Sequence, residues 1–205
     1  MRRIVLSVAL LASVITSVAA LSSPAFATTA AATKTTTTTY TLNCDTGIAN
    51  GDVSVTTIQT YPKKVAAGAN FTISWSSVTT VEGALASSAY ALAPNGKEKG
   101  NVVTDDDISS DATPSTNNIA GSGGVKEQGK ISSSSSFPIY TPKKGKPALV
   151  TPSFTAGSAG TDQVTPGDDD ANVTIYNSSG GEVTSTTADC TVVGTPPVIA
   201  KIKVT

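Results

Sequence analysis

Short segments in which apolar and polar side chains alternate recur along the chain, with turn residues between them. The clearest spans residues 70–76, where Phe71, Ile73 and Trp75 fall on one face at a period of two. This is the period of a β-strand, because successive strand side chains point to opposite faces. Similar segments rich in β-branched residues recur at intervals of roughly 8–12 residues, with Gly, Pro and Asn in the gaps. The chain is therefore predicted to be all-β, as a sandwich or a barrel.

One stretch departs from the strand pattern. Residues 81–92 place Val81, Leu85, Ala89 and Leu92 at a helical spacing, which predicts a short helix or an irregular crossover. The only tryptophan, at position 75, is interpreted as part of the core rather than as a platform that stacks on a ligand. The other predicted strands are residues 52–61, 137–140, 148–150, 172–176, 182–184 and 189–193.

The N-terminal segment carries the three regions of a secretory signal in order. Arg2 and Arg3 precede an apolar run over residues 4–21, and a Pro-containing segment then ends in an Ala-x-Ala pattern at Ala27. An uncleaved membrane anchor is disfavoured, because Ser and Thr interrupt the apolar run and a cleavage site follows directly. We expect cleavage after Ala27, a mature chain without a transmembrane segment, and an extracellular or cell-surface location.

The predicted organisation has three parts. Residues 1–27 form the signal peptide. Residues 28–39 contain Thr, Ala and one Lys without an apolar period, so we expect a flexible leader. Residues 40–205 form a single domain, whose middle, residues 94–147, is expected to be a long polar segment.

The only two cysteines, Cys44 and Cys190, lie near opposite ends of the predicted domain. In an exported protein two cysteines are more often paired than free. A zinc site is the weaker alternative, because the chain has no His and two thiolates supply half of a tetrahedral ligand set. We therefore expect a disulfide that ties the first core strand to the last one.

The absence of His excludes nucleophile systems that need imidazole. Carboxylates remain as candidate catalytic groups, and they cluster in two triplets beside turn residues. Paired catalytic acids are usually buried on rigid elements, so this placement does not favour catalysis. The triplets could supply oxygen ligands to Ca²⁺, but consecutive acids lack the spacing of a calcium-binding loop. We therefore interpret them as solvated loop acids and expect no cofactor. They are Asp105, Asp106 and Asp107, and Asp168, Asp169 and Asp170.

The charge balance limits the classes of partner. After Ala27 the chain has a small excess of acidic over basic residues, so no nucleic acid is expected as a partner. Lys143, Lys144 and Lys146 could contact an anionic cell-wall polymer, although an exposed turn explains this cluster equally well. A cell-wall polymer or an extracellular protein is the expected partner class.

Several motifs carry a resemblance to a known family. They are residues 40–44 (Tyr-Thr-Leu-Asn-Cys) after a Thr-rich run, residues 154–161, residues 165–167, the closing Cys190, and the tail 198–204 after two prolines. On these the chain resembles a family of uncharacterised secreted domains of high-GC Gram-positive bacteria. The resemblance implies an immunoglobulin-like β-sandwich closed by one disulfide, and it supplies no catalytic or binding residue.

The expected function is therefore a secreted or cell-envelope-associated protein that is not an enzyme, acting as a binding or surface and structural module. The alternative is an extracellular hydrolase that works through carboxylates. The hydrolase would need a compact acidic cavity beneath residues 105–107 or 168–170.

Overall fold

The computed structural model describes residues 32–109, 115–118, 125–151 and 153–205. The signal peptide predicted at residues 1–27 lies outside this part of the chain. Within the described ranges strands predominate, as the recurring period of two requires. The strands are β1 (Thr33–Asp45), β2 (Asn50–Pro62), β3 (Lys64–Val65), β4 (Asn70–Phe71), β5 (Ser74–Glu82), β6 (Lys97–Ser109), β7 (Ser115–Asn118), β8 (Val125–Lys130), β9 (Ser136–Thr141), β10 (Leu149–Val150), β11 (Phe154–Thr155), β12 (Gly160–Tyr176), β13 (Glu182–Val192) and β14 (Ala200–Val204), and the helix is α1 (Gly83–Leu92).

Eight strands close into a barrel. Their order is β12-β13-β1-β2-β5-β9-β8-β6, all antiparallel neighbours, and β6 pairs with β12 to complete the ring. Closure gives each of the eight strands a paired neighbour on both sides over at least part of its length. The predicted all-β class is confirmed. The architecture differs from the expected immunoglobulin-like sandwich, because one sheet closes on itself instead of two sheets facing each other.

The long strand β12 extends the fold beyond the closed ring. Its residues 169–176 pair with β13, and its residues 160–164 pair with β14 along the same edge. β14 then pairs in parallel with β3, while β4 and β11 form a separate two-stranded sheet. The added strands enclose a second group of buried side chains.

Buried apolar side chains accordingly form two clusters, and buried polar side chains lie between them. Along the inward face of β2, Val55 is followed by Thr57 and Gln59 before Tyr61, and all four are buried. The barrel core is the cluster Leu42, Cys44, Val53, Val55, Val81, Leu85, Ala86, Ala93, Ile131, Phe137, Ile139, Ala171, Ile175, Ala188 and Cys190. The extension core is the cluster Tyr61, Phe71, Ile73, Trp75, Phe154, Ala156, Val164, Ile199, Ala200, Ile202 and Val204.

This topology corrects the prediction for one polar segment and shows which strands a second polar segment contains. Residues 33–39, assigned to a flexible leader, form the first half of β1 and pair residue by residue with β2. Residues 94–147, expected to be a long polar segment, supply β6, β8 and β9 to the ring, and β9 includes the strand predicted at residues 137–140. The physical reason in β1 is that its threonines bond across the strand pair: the Thr35 and Thr60 hydroxyls lie 2.8 Å apart. Thr35, Thr37 and Thr39 alternate along β1 and are exposed, so a polar sequence of this kind can form the outer face of a paired strand.

The predicted core position of Trp75 is confirmed. Its side chain is 3% exposed and belongs to the extension core together with Phe71 and Ile73. The strand predicted over residues 70–76 is interrupted, because β4 ends at Phe71 and β5 begins at Ser74. The backbone between them bonds to a neighbouring segment: the Ile73 N–H donates to the Thr151 hydroxyl.

The predicted disulfide is confirmed. Cys44 of β1 and Cys190 of β13 are direct cross-strand partners, with Cα atoms 4.0 Å apart, and their sulfur atoms are bonded. The bond ties the first strand of the ring to one late in the chain. The strand β14 follows β13, so Cys190 does not lie in the last core strand.

Helix α1 crosses one end of the ring. It packs against β2, β5 and β9 and buries Leu85 and Ala86. The helical alternative predicted for residues 81–92 is thus confirmed from Gly83 onward, while Val81 belongs to β5. Among the described residues, no helix combines the length and the apolar character needed to cross a membrane.

Candidate ligand-binding cavity

A cavity of about 130 Å³ lies inside the barrel. Every strand of the ring contributes at least one side chain to its wall, and helix α1 contributes four. The wall is mostly apolar, because the inward positions of these strands supply the barrel core. An apolar protein cavity of about 150 Å³ can hold one benzene molecule. The cavity is therefore large enough for a ligand of about the size of one aromatic ring.

The cavity reaches the surface between the β1–β2 turn and helix α1. Ile48 of the turn and Leu92 of the helix both line it, and they are 47% and 39% exposed. Gly47 adopts a left-handed conformation with φ of 68° and donates its N–H to the Asp45 carboxylate. This tight turn places Ile48 at the rim. Two large apolar side chains thus border the opening.

Two acidic side chains enter the cavity from adjacent strands. Glu98 of β6 and Glu127 of β8 both line it and are both buried. Each belongs to a Lys-Glu-x-Gly tetrapeptide, at residues 97–100 and 126–129. In the antiparallel register Glu98 lies opposite Gly129, and Gly100 lies opposite Glu127. The period of two places each Glu and its following Gly on the inner face, and the lysines on the outer face.

Gly100 leaves room for the two carboxyl groups, and Gly129 leaves room for the neighbouring strand β9. A Cβ atom at Gly100 would lie 2.7 Å from Glu127 Oε1 and 3.1 Å from Glu98 Oε1. These two oxygens therefore lie within about 6 Å of each other, a distance at which two carboxyl groups interact strongly. A Cβ atom at Gly129 would meet the Pro138 carbonyl oxygen at 2.7 Å. Side chains at both positions would displace the acids or the backbone.

Burial raises the pKa of both acids. The pKa of Glu127 is raised from 4.5 to about 7, chiefly because burial disfavours its charged form, and a hydrogen bond from the Thr141 hydroxyl partly offsets this. The pKa of Glu98 is raised well above 4.5 by burial and then by the neighbouring Glu127, with a smaller opposing effect from the Gly129 backbone N–H. At neutral pH the pair therefore retains at least part of its protons.

The two acids differ in their hydrogen bonds. The Thr141 hydroxyl donates to Glu127 Oε2 over 3.3 Å. In the described part of the chain, neither oxygen of Glu98 accepts a hydrogen bond of normal geometry. The side chain of Glu98 is only 3% exposed, so water does not replace that bond freely. An acid buried in this way lowers stability unless a donor reaches it.

The acidic triplets lie on strands rather than in the expected loops. Asp105, Asp106 and Asp107 belong to β6, and Asp168, Asp169 and Asp170 belong to β12, its antiparallel neighbour. A register shift in β12 between Pro166 and Asp169 separates the two pairing segments. Asp169 lies directly opposite Cys190 and lines the cavity, whereas the Asp168 carboxylate accepts the Val192 N–H at 3.2 Å. Among the described residues, no group of three His, Cys, Asp or Glu side chains is placed to hold a metal ion.

Sequence reasoning did not select Glu98 and Glu127. The available signal was the repeated Lys-Glu-x-Gly tetrapeptide, in which Glu and Gly alternate with polar residues. On its own that pattern is typical of a solvent-exposed strand. The antiparallel pairing of β6 with β8 brings the two glutamates together.

Comparison with known proteins gives no relative from which a role could be transferred. The chain matches no protein-family model, no curated protein and no solved structure. The resemblance to uncharacterised secreted domains stays a prediction.

Proposed function

We propose that this protein is an exported, non-catalytic binding module whose barrel holds one small, largely apolar ligand. The observation that carries the proposal is the cavity of about 130 Å³, walled by apolar side chains and containing a buried acid, Glu98, without a hydrogen-bond donor of normal geometry among the described residues. A protein interior is normally close-packed, so a space of this size loses stabilising contacts. A ligand that fills it would restore them.

Export and envelope association form part of the same proposal. The N-terminal segment has the pattern of a signal peptide, and the Cys44–Cys190 disulfide suits an oxidising compartment. The ligand is therefore sought among small compounds outside the cell. A larger partner, such as a cell-wall polymer or an extracellular protein, would have to use the outer surface.

The test is ligand-induced stabilisation of the oxidised mature protein, with toluene as the probe. Toluene at ten times its Kd should raise the unfolding free energy by about 1.4 kcal/mol and Tm by roughly 3 °C. Ala89→Phe places a ring into the cavity wall from helix α1 and should abolish the rise. Ala84→Phe, at an exposed position of the same helix, is the matched control. No rise in the wild type, or an equal rise in Ala89→Phe, would refute the proposal.

A carboxylate-dependent hydrolase is the second candidate. It is favoured by the closeness of Glu98 to Glu127 and by the presence of Asp169 in the same cavity. Such enzymes use one protonated and one ionised carboxyl group, but burial raises the pKa of both glutamates. Turnover of p-nitrophenyl glycosides or esters by the wild type, lost in Glu127→Gln, would favour the hydrolase over the binding module.

A further inference from the structure

We propose that the ligand of this cavity is a small apolar primary amine, whose ammonium group binds between Glu98 and Glu127. This inference rests on the proposed function and specifies the chemistry of its ligand. It begins from the polar groups that face the cavity. Among the described lining residues the titratable ones are Glu98 on β6, Glu127 on β8 and Asp169 on β12, and none of the described lining residues is Lys or Arg.

The acceptors at this position match the donors of an ammonium group. The Thr141 hydroxyl already donates to Glu127 Oε2, whereas Glu127 Oε1 and Glu98 Oε1 both pack against Gly100 and lie within about 6 Å of each other. Glu98 brings two oxygens without a hydrogen bond of normal geometry in the described structure. A primary ammonium group has three N–H donors and no acceptor. It can therefore bond to both carboxylates at once.

Other ligand classes fit less well. A carboxylate or phosphate ligand would meet acidic groups and no basic group among the described lining residues, and like charges repel strongly in a site shielded from water. A divalent cation would need several oxygen ligands in place of an apolar wall. A hydrocarbon would fill the volume but would leave both Glu98 oxygens without a hydrogen bond of normal geometry in the described structure. An amine that carries one ring can pack its ring against the apolar wall and donate hydrogen bonds from its ammonium group to the acids.

The same geometry makes binding depend on pH. The carboxyl groups must release a proton to form ion pairs with the ammonium group, and a primary amine stays protonated to well above neutral pH. Below about pH 7, where Glu127 is protonated, the affinity for the amine should rise by up to about tenfold for each unit by which the pH increases. Toluene, which has no charge, should show no such rise.

The experiment is isothermal titration calorimetry of the oxidised mature chain with benzylamine and with toluene, which share one ring. At pH 7 benzylamine should bind at least about tenfold more tightly than toluene, since hydrogen bonds between charged groups are strong in a buried site. Glu98→Gln and Glu127→Gln should each remove most of that advantage while keeping toluene binding, which also reports that the variants are folded. Glu182→Gln, at an exposed position on β13, is the matched control.

The outcomes separate this inference from the function on which it rests. Tight benzylamine binding that weakens in both cavity variants but not in Glu182→Gln supports it. Toluene binding equal to or tighter than benzylamine overturns the amine inference and leaves the proposed function standing. Benzylamine binding that neither cavity variant weakens also overturns it. Binding of neither compound overturns both.

Discussion

The pH dependence of stability gives the sharpest test of the buried acid pair. Burial raises the pKa of Glu127 from 4.5 to about 7 in the folded protein, whereas the unfolded chain returns it to its ordinary value. The folded state then holds a proton that the unfolded state has lost, so the contribution of Glu127 to stability is greatest below about pH 4.5 and falls as the pH rises toward 7. Glu98 acts in the same direction.

The size of the effect follows from that difference in pKa. Raising a pKa from 4.5 to about 7 corresponds to about 3 kcal/mol of unfolding free energy lost between pH 4.5 and a pH above 7. Glu127→Gln replaces the carboxyl group by an amide, which is neutral at every pH, has nearly the same shape, and can still accept the hydrogen bond from Thr141. The variant should therefore match the wild type near pH 4.5 and be more stable than it by up to about 3 kcal/mol at pH 8. It should retain the part of the decline that is due to Glu98.

The assay is urea unfolding of the oxidised, ligand-free mature protein at pH 4.5, 5.5, 6.5 and 8. Glu182→Gln, on the exposed face of β13, controls for the loss of one surface acid and should follow the wild type. A constant unfolding free energy of the wild type from pH 4.5 to 8 would show that the acids are not buried in the way described. The same conclusion would follow if the unfolding free energy of Glu127→Gln fell with pH as steeply as that of the wild type.

Four other predictions test the fold and its export. Gly100→Ala should lower the unfolding free energy measured in urea by about 1–3 kcal/mol, because its Cβ would lie 2.8 Å from the Asn172 backbone oxygen and 2.7 Å from Glu127 Oε1. Gly51→Ala, where the nearest contact is 3.5 Å, should change it little. Trp75→Ala should cost about 3–5 kcal/mol, and native fluorescence typical of a water-exposed indole would contradict its burial. Reduction of the Cys44–Cys190 bond, which closes a loop with a sequence separation of 146, should lower the unfolding free energy by about 4–5 kcal/mol, and two thiols that react in denaturant without reductant would show that no bond exists. N-terminal sequencing of the secreted protein should begin at or near residue 28, and an intact Met1 in the membrane fraction would refute export by cleavage.

Local patterns were sufficient to predict the strand class and several individual positions. The period of two around Phe71, Ile73 and Trp75 required one buried face, and all three side chains are buried. The only two cysteines in the chain were sufficient to predict their bond. These predictions succeeded because each depends on residues close in sequence, or on a pair that has no other partner.

Closure of the barrel and the candidate cavity were decided by tertiary pairing. The sequence of β12 does not indicate that one of its edges pairs with β6 and the other with β13. These two pairings close the ring, so the fold is a barrel instead of the expected sandwich. The Lys-Glu-x-Gly repeats are similarly ambiguous, because either face of an isolated strand can be the inner one. Their glutamates become buried neighbours only when β6 and β8 pair with each Glu opposite a Gly. Register between distant segments depends on the packing of the whole ring, and for that reason the acids inside it were not predicted.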